Sequence, residues 1–204
     1  MLALALAAAT TVAFFTTVVY SNVYMQSVLH IPLTDAAVIT GAAIVISIPF
    51  YPFSGWLSDR VGRKWVILGG LLFTAIVVVP LFIALRNVAS AKEINYMLAI
   101  LIVGGMMVGT AFAFSPILAL ITELFPARIR FTSFSLPYQI GASWVGGFTP
   151  YIITVLVAYT GASTGGLWFV VGVLVVGALV LSFGLKTKAV HKDSVSVANP
   201  RHPT

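Results

Sequence analysis

Polar residues punctuate this chain instead of alternating along it. Between one polar cluster and the next run stretches that are apolar on every face, each long enough to match the roughly 20 residues a helix needs to cross about 30 Å of hydrocarbon. Six such stretches stand at roughly 2–26, 36–57, 65–86, 95–122, 132–159 and 166–186. The breaks carry turn and charge signals: HIPLTD at 30–35, SDRVGRK at 58–64, RNVASAKE at 86–93, ELFPARIR at 123–130 and TGASTGG at 160–166. Barrel strands are short and alternate in polarity, so the pattern predicts helices. The expected organisation is a six-helix transmembrane domain over 1–186 and a polar tail over 187–204, whose composition favours disorder.

Composition strengthens this reading. Of 204 residues, 60% are hydrophobic and only 8% charged, whereas soluble domains carry roughly a quarter charged residues. The net charge of +6 does not indicate nucleic-acid binding, because the basic residues sit in short loops between apolar runs. They do set an orientation, since short loops rich in Lys and Arg stay cytoplasmic. Placing the 58–64 loop inside puts Arg60, Arg63, Lys64, Arg128, Arg130, Lys186, Lys188, Lys192 and Arg201 inside, leaving Arg86 and Lys92 outside. Both termini are then expected in the cytoplasm, with the chain an integral, multi-pass protein of the cytoplasmic (inner) membrane. There is no cysteine, which excludes disulfides and thiolate chemistry.

The charges are concentrated where two spans reverse, in GWLSDRVGRK at 55–64. A plain topology anchor needs Lys or Arg anywhere in the loop. It does not explain Asp59, which weakens the positive bias, nor the two glycines Gly55 and Gly62, which suit close backbone approach or positive φ.

This stretch resembles the loop signature of the major facilitator superfamily, between the second and third helices and again between the eighth and ninth. ITELFPARIRFTSFSLPYQIGASWVGGFTP at 121–150 is similar to the tenth-to-eleventh helix region of the metabolite:proton symporters, and FFTTVVYSNVYMQ at 14–26 to their seventh helix. The resemblance implies an all-α membrane protein that forms half of a twelve-helix fold. That half holds two inverted three-helix repeats. The implied function is that of the C-terminal half of a secondary active transporter, symporting protons with a small organic acid or zwitterion by alternating access. Its implied partners are substrate, protons, membrane lipid and an N-terminal six-helix half. The alternative is a truncated or split membrane protein acting as an assembly partner or homodimer without proton coupling. No cofactor or metal is implied.

Residue roles follow from these readings. Asp59 is placed to hold the N-terminus of the fifth span near Phe131–Ser133, where unpaired N–H groups and the helix dipole favour an anion. Glu123 is placed to pair with Arg60, Arg63 or Arg128. The expected cytoplasmic gate comprises Gly55, Asp59, Arg60, Gly62, Arg63, Lys64, Glu123, Arg128 and Arg130. None of the charged residues lies near mid-span, so a proton carrier is expected in the other half.

Neutral polar residues form stripes. Thr10, Thr17, Tyr20, Ser21 and Tyr24 align on the first span at about 100° per residue. Ser135, Tyr138, Gln139, Ala142, Gly146 and Thr149 align on the fifth, with Ser143 beside them. Thr17, Tyr20, Tyr24, Tyr138, Gln139 and Ser143 are the candidate lining of a substrate path. Packing glue is the competing reading, above all for the hydroxyls. Gly104, Val108, Ala111 and Ser115 form a small-residue stripe predicting a close helix contact, while Pro49, Pro52, Pro116 and Pro137 predict local bends or breaks. No histidine lies in a span to activate Ser143, and there is no paired carboxylate, so an enzyme is not expected.

Overall fold

The computed structural model describes residues 2–89, 95–123, 138–162 and 164–198, with side chains over 4–89, 95–120, 138–162 and 164–183. The described residues are helical apart from turns and short links. Five helices are long and apolar enough to cross a membrane: Leu4–Ser27, Leu33–Val61, Arg63–Ala89, Tyr96–Leu120 and Tyr138–Thr160. A shorter apolar helical stretch, Leu167–Phe183, follows. These six are called the first to sixth spans. The last helix runs Leu167–Ala198, so helical backbone continues beyond Lys186, where composition alone favours a disordered tail. The reason is local: between Lys186 and Ala198 there is no Gly or Pro to end it.

Burial is uneven. The first span is 67% buried and the fourth 50%, whereas the second and fifth are 28% and 22% buried. The first span is therefore the axis of the bundle. Glycines allow its close contacts: a Cβ at Gly141 would lie 3.0 Å from Ala7 Cβ, and one at Gly146 would collide with Thr11. The third and fourth spans meet as tightly, because a Cβ at Gly70 would fall on the backbone of Phe112 and Ala113. Small side chains at such crossings let backbones approach and gain dispersion contacts, which is how helices associate in lipid. Behind the first span Tyr20, Tyr24 and Phe82 pack ring to ring, with centroids 5.0 to 6.0 Å apart.

Proline places two breaks. The second span is divided into Leu33–Ser47 and Phe50–Val61 around Pro49, and the fourth into Tyr96–Phe114 and Ile117–Glu123 around Pro116. Pro52 sits in the first turn after its break, where its missing N–H costs least; Pro137 lies outside the described residues. The two breaks touch. Ser115 Oγ donates to Tyr51 O at 2.9 Å, and Ser54 Oγ donates to Ala111 O at 3.1 Å. These serine bonds tie the small-residue stripe of the fourth span to the second, and Gly104 at its other end lies against Ile46.

Two departures from α-helix were not visible in the sequence. The first span is π-helical over Phe15–Tyr20 and the fifth over Gly141–Gly146. In a π-helix each N–H reaches back to i−5 and not i−4, so the turn widens and every residue after it changes face.

Candidate functional site

Gly62 ends the second span with φ of 104°, the left-handed side that glycine adopts without steric cost, and its N–H donates to Ser58 O at 3.0 Å. The reversal brings Asp59 and Arg63 one turn apart, with Arg63 Nη2 donating to Asp59 Oδ1 at 3.4 Å. This is an exposed i,i+4 pair, worth about 0.3–0.5 kcal/mol. Arg60 stacks its guanidinium 4.1 Å above the Trp56 ring. Lys64 Nζ donates to the Ser182 carbonyl at 2.8 Å and so ties the knot to the sixth span. Gly55 lies 3.6 Å from Ser115 Oγ, the close approach expected of it.

Of the expected gate, Gly55, Asp59, Arg60, Gly62, Arg63 and Lys64 therefore cluster at one end of the second span. Arg128, Arg130 and the start of the fifth span at Phe131–Ser133 lie outside the described residues, as does the side chain of Glu123. The Asp59 contact that the structure contains is with its own neighbour Arg63.

The six residues expected along a path do not share a surface. Thr17, Tyr20 and Tyr24 are buried within the bundle, Tyr138 is half-buried, and Gln139 and Ser143 are exposed. Thr17 Oγ1 lies 3.0 Å from Thr110 Oγ1 on the fourth span and also donates to Ala13 O. Tyr20 and Tyr24 face Phe82 of the third span. The stripes were drawn at a constant 100° per residue, and both pass through a π-helical segment, which breaks their phase. On the fifth span Gly146 and Thr149 accordingly turn inward while Gln139 and Ser143 face out.

Two polar groupings escaped the sequence reading. Asn22 Nδ2 donates to Thr40 Oγ1 at 3.2 Å and accepts from Gln26 Nε2, joining the first and second spans through half-buried amides. The i,i+4 spacing of Asn22 and Gln26 in SNVYMQ was the available signal. At the opposite end from the knot, Tyr96 Oη donates to Asp35 Oδ2 at 3.0 Å and links the starts of the second and fourth spans. Partners so far apart in sequence leave no local trace. Buried Thr16, inside the first π-segment, has an Oγ1 with no hydrogen-bond partner among the described residues.

Comparison with known proteins gives this geometry a context. The family model described as "Major Facilitator Superfamily" matches residues 2–203. The citrate-proton symporter of Klebsiella pneumoniae is 32% identical over 166 residues, which are 79% of this chain and 35% of that protein. The citrate-proton symporter of Salmonella typhi is 30% identical over 83% of this chain and 38% of its own length. An ectoine/proline transporter of Corynebacterium glutamicum is 30% identical over 79% of this chain and 31% of its own. The chain thus spans about a third of the length of the curated relatives it matches. No solved structure matches it.

Proposed function

The chain belongs to the major facilitator superfamily, and from that premise we propose that it works as the C-terminal six-helix half of a proton-coupled symporter for a small organic acid or zwitterion. The observation that carries this reading is the fifth span. It is only 22% buried, yet it exposes Gln139 and Ser143 as well as Trp144, and a polar group facing hydrocarbon without a partner is costly. A second six-helix half covering this span would give those groups partners and form a polar path at the interface of the halves, near the membrane midplane. The names of the relatives, covering citrate, ectoine and proline, support the substrate class.

In this reading Gln139, Ser143 and Tyr138 contact the path directly, and Asn22 and Gln26 of the first span are added to them. Thr17, Tyr20 and Tyr24 set the position of the first span behind it. The charged cluster from Gly55 to Lys64, with Glu123, Arg128 and Arg130, forms the gate on the cytoplasmic side, opening as the halves rock. The excess of Lys and Arg on that side supports cytoplasmic termini, the 187–204 tail among them, in the inner membrane. Proton carriage falls to the other half, because the charged residues of this chain lie at span ends and in loops.

The test is proton-linked uptake into vesicles across organic acids and betaines, by this chain alone and with an N-terminal six-helix half. Uptake by the pair only is the expected result. Uptake by the chain alone would replace this reading with a homodimer.

A further inference from the structure

Two apolar grooves of similar size open on the surface of the bundle. One, of about 420 Å³, lies between the second, third and fourth spans, where Leu57, Trp65, Gly69, Phe73, Val108 and Phe112 line it. The other, of about 370 Å³, lies between the first and sixth spans, against Ala8, Phe169, Gly172 and Val176. Each is furrowed by an exposed glycine, Gly69 or Gly172, at which an added Cβ would meet nothing within 4 Å. The grooves differ in what lies at their ends. Val61 and Trp65 line the first groove and also a second cavity of about 510 Å³, which Asp59, Arg63 and Lys64 enclose from the loop side. Trp65 stands at the junction, 62% exposed, with Lys64 Nζ 5.9 Å from its ring centre. An occupant filling both compartments must be a hydrocarbon chain at one end and an anion at the other. Arg63 and Lys64 outweigh Asp59 there, and Arg60 adds a further positive charge close by.

We propose that this composite groove is a binding site for one anionic glycerophospholipid of the adjoining leaflet. An acyl chain lies along Gly69 and Phe73, Trp65 sits at the level of the ester groups, and the phosphate rests against Arg63 and Lys64. Interfacial Trp and cationic pockets between helices suit this division of the lipid. A docked helix from a second copy would fill the apolar part but leave the cations without a counterion. The site depends only on insertion in a bilayer and not on the transport reading.

The test is native mass spectrometry of the full chain released from nanodiscs holding equal amounts of phosphatidylglycerol and phosphatidylcholine. One phosphatidylglycerol retained in preference to phosphatidylcholine is expected. Arg63→Gln and Lys64→Gln are each expected to lower that preference about fivefold, the electrostatic effect of one cation near a membrane surface. Gly69→Leu fills the furrow and is expected to lower retention of both lipids at least about tenfold, while Gly172→Leu in the other groove leaves it unchanged. Because the two loop substitutions lie at the surface, their effect decides the matter even if Gly69→Leu perturbs folding. Equal retention of both lipids by the unsubstituted chain would overturn the proposal. So would equal losses with Gly69→Leu and Gly172→Leu, or a dimer that Gly69→Leu dissociates.

Discussion

The first and fifth spans share a device and differ in their surroundings. Both are apolar helices interrupted by a six-residue π-helical segment, Phe15–Tyr20 in one and Gly141–Gly146 in the other, and both carry hydroxyl and amide side chains. The first is 67% buried and the fifth 22%. In the first, hydroxyls turn back on their own helix or across to the next: Thr10 donates to Leu6 O, Ser21 to Thr17 O, and Thr17 meets Thr110. In the fifth, Thr149 does the same toward Val145 O, but Gln139 and Ser143 face outward. Similar residues thus serve as internal glue on one helix and as an unpartnered polar face on the other. The helix environment decides which, not the residue type.

The comparison is broken most forcefully where the two spans interlock. Gly146→Val would drive a branched side chain into Thr11, and overpacking of this kind costs about 1–3 kcal/mol. Reversible unfolding in mixed micelles is expected to show that loss, and an unchanged midpoint would mean that the crossing is loose. A smaller effect comes from the hydroxyl pair. Thr17→Val, Thr110→Val and the double variant form a cycle whose coupling energy is expected near the membrane average of about 0.6 kcal/mol. Zero coupling would remove Thr17 from the glue category.

Asp59→Asn removes an exposed pair worth about 0.3–0.5 kcal/mol, so chain stability is expected to change barely at all. Its larger consequence is functional: with the second half present, uptake is expected to fall at least tenfold if the cluster is a gate. Normal uptake would leave only a topology anchor. The least change in stability is expected for Ser143→Ala, within about 0.5 kcal/mol, as for exposed substitutions generally. The sharpening measurement is uptake affinity, which should weaken for Ser143→Ala and stay unchanged for Thr17→Val.

Much of the architecture was legible because a bilayer is an undemanding reader. It requires long apolar runs and satisfied backbones, so the spans from Leu33–Val61 through Tyr96–Leu120 appear where hydropathy places them. Gly62 announced its positive φ by standing in a tight reversal, and the Gly104 to Ser115 stripe announced a close helix contact. The candidate path was less legible. A stripe is computed on the assumption of one uniform helix, and the π-segments violate it between Thr10 and Tyr24 and again between Tyr138 and Thr149. Lys64 bonding to Ser182, or Tyr96 to Asp35, joins residues whose separation in sequence carries no periodic signal.

What the sequence determined by itself, then, is a multi-pass helical membrane protein with its charges held at one set of loops, since the cost of burying charge and unpaired backbone in hydrocarbon acts residue by residue. The tertiary structure alone decided which face of each helix is inside. That choice depends on how six helices of nearly uniform apolarity fit against one another, and in lipid, packing at Gly70, Gly141 and Gly146 discriminates between faces where hydrophobicity does not.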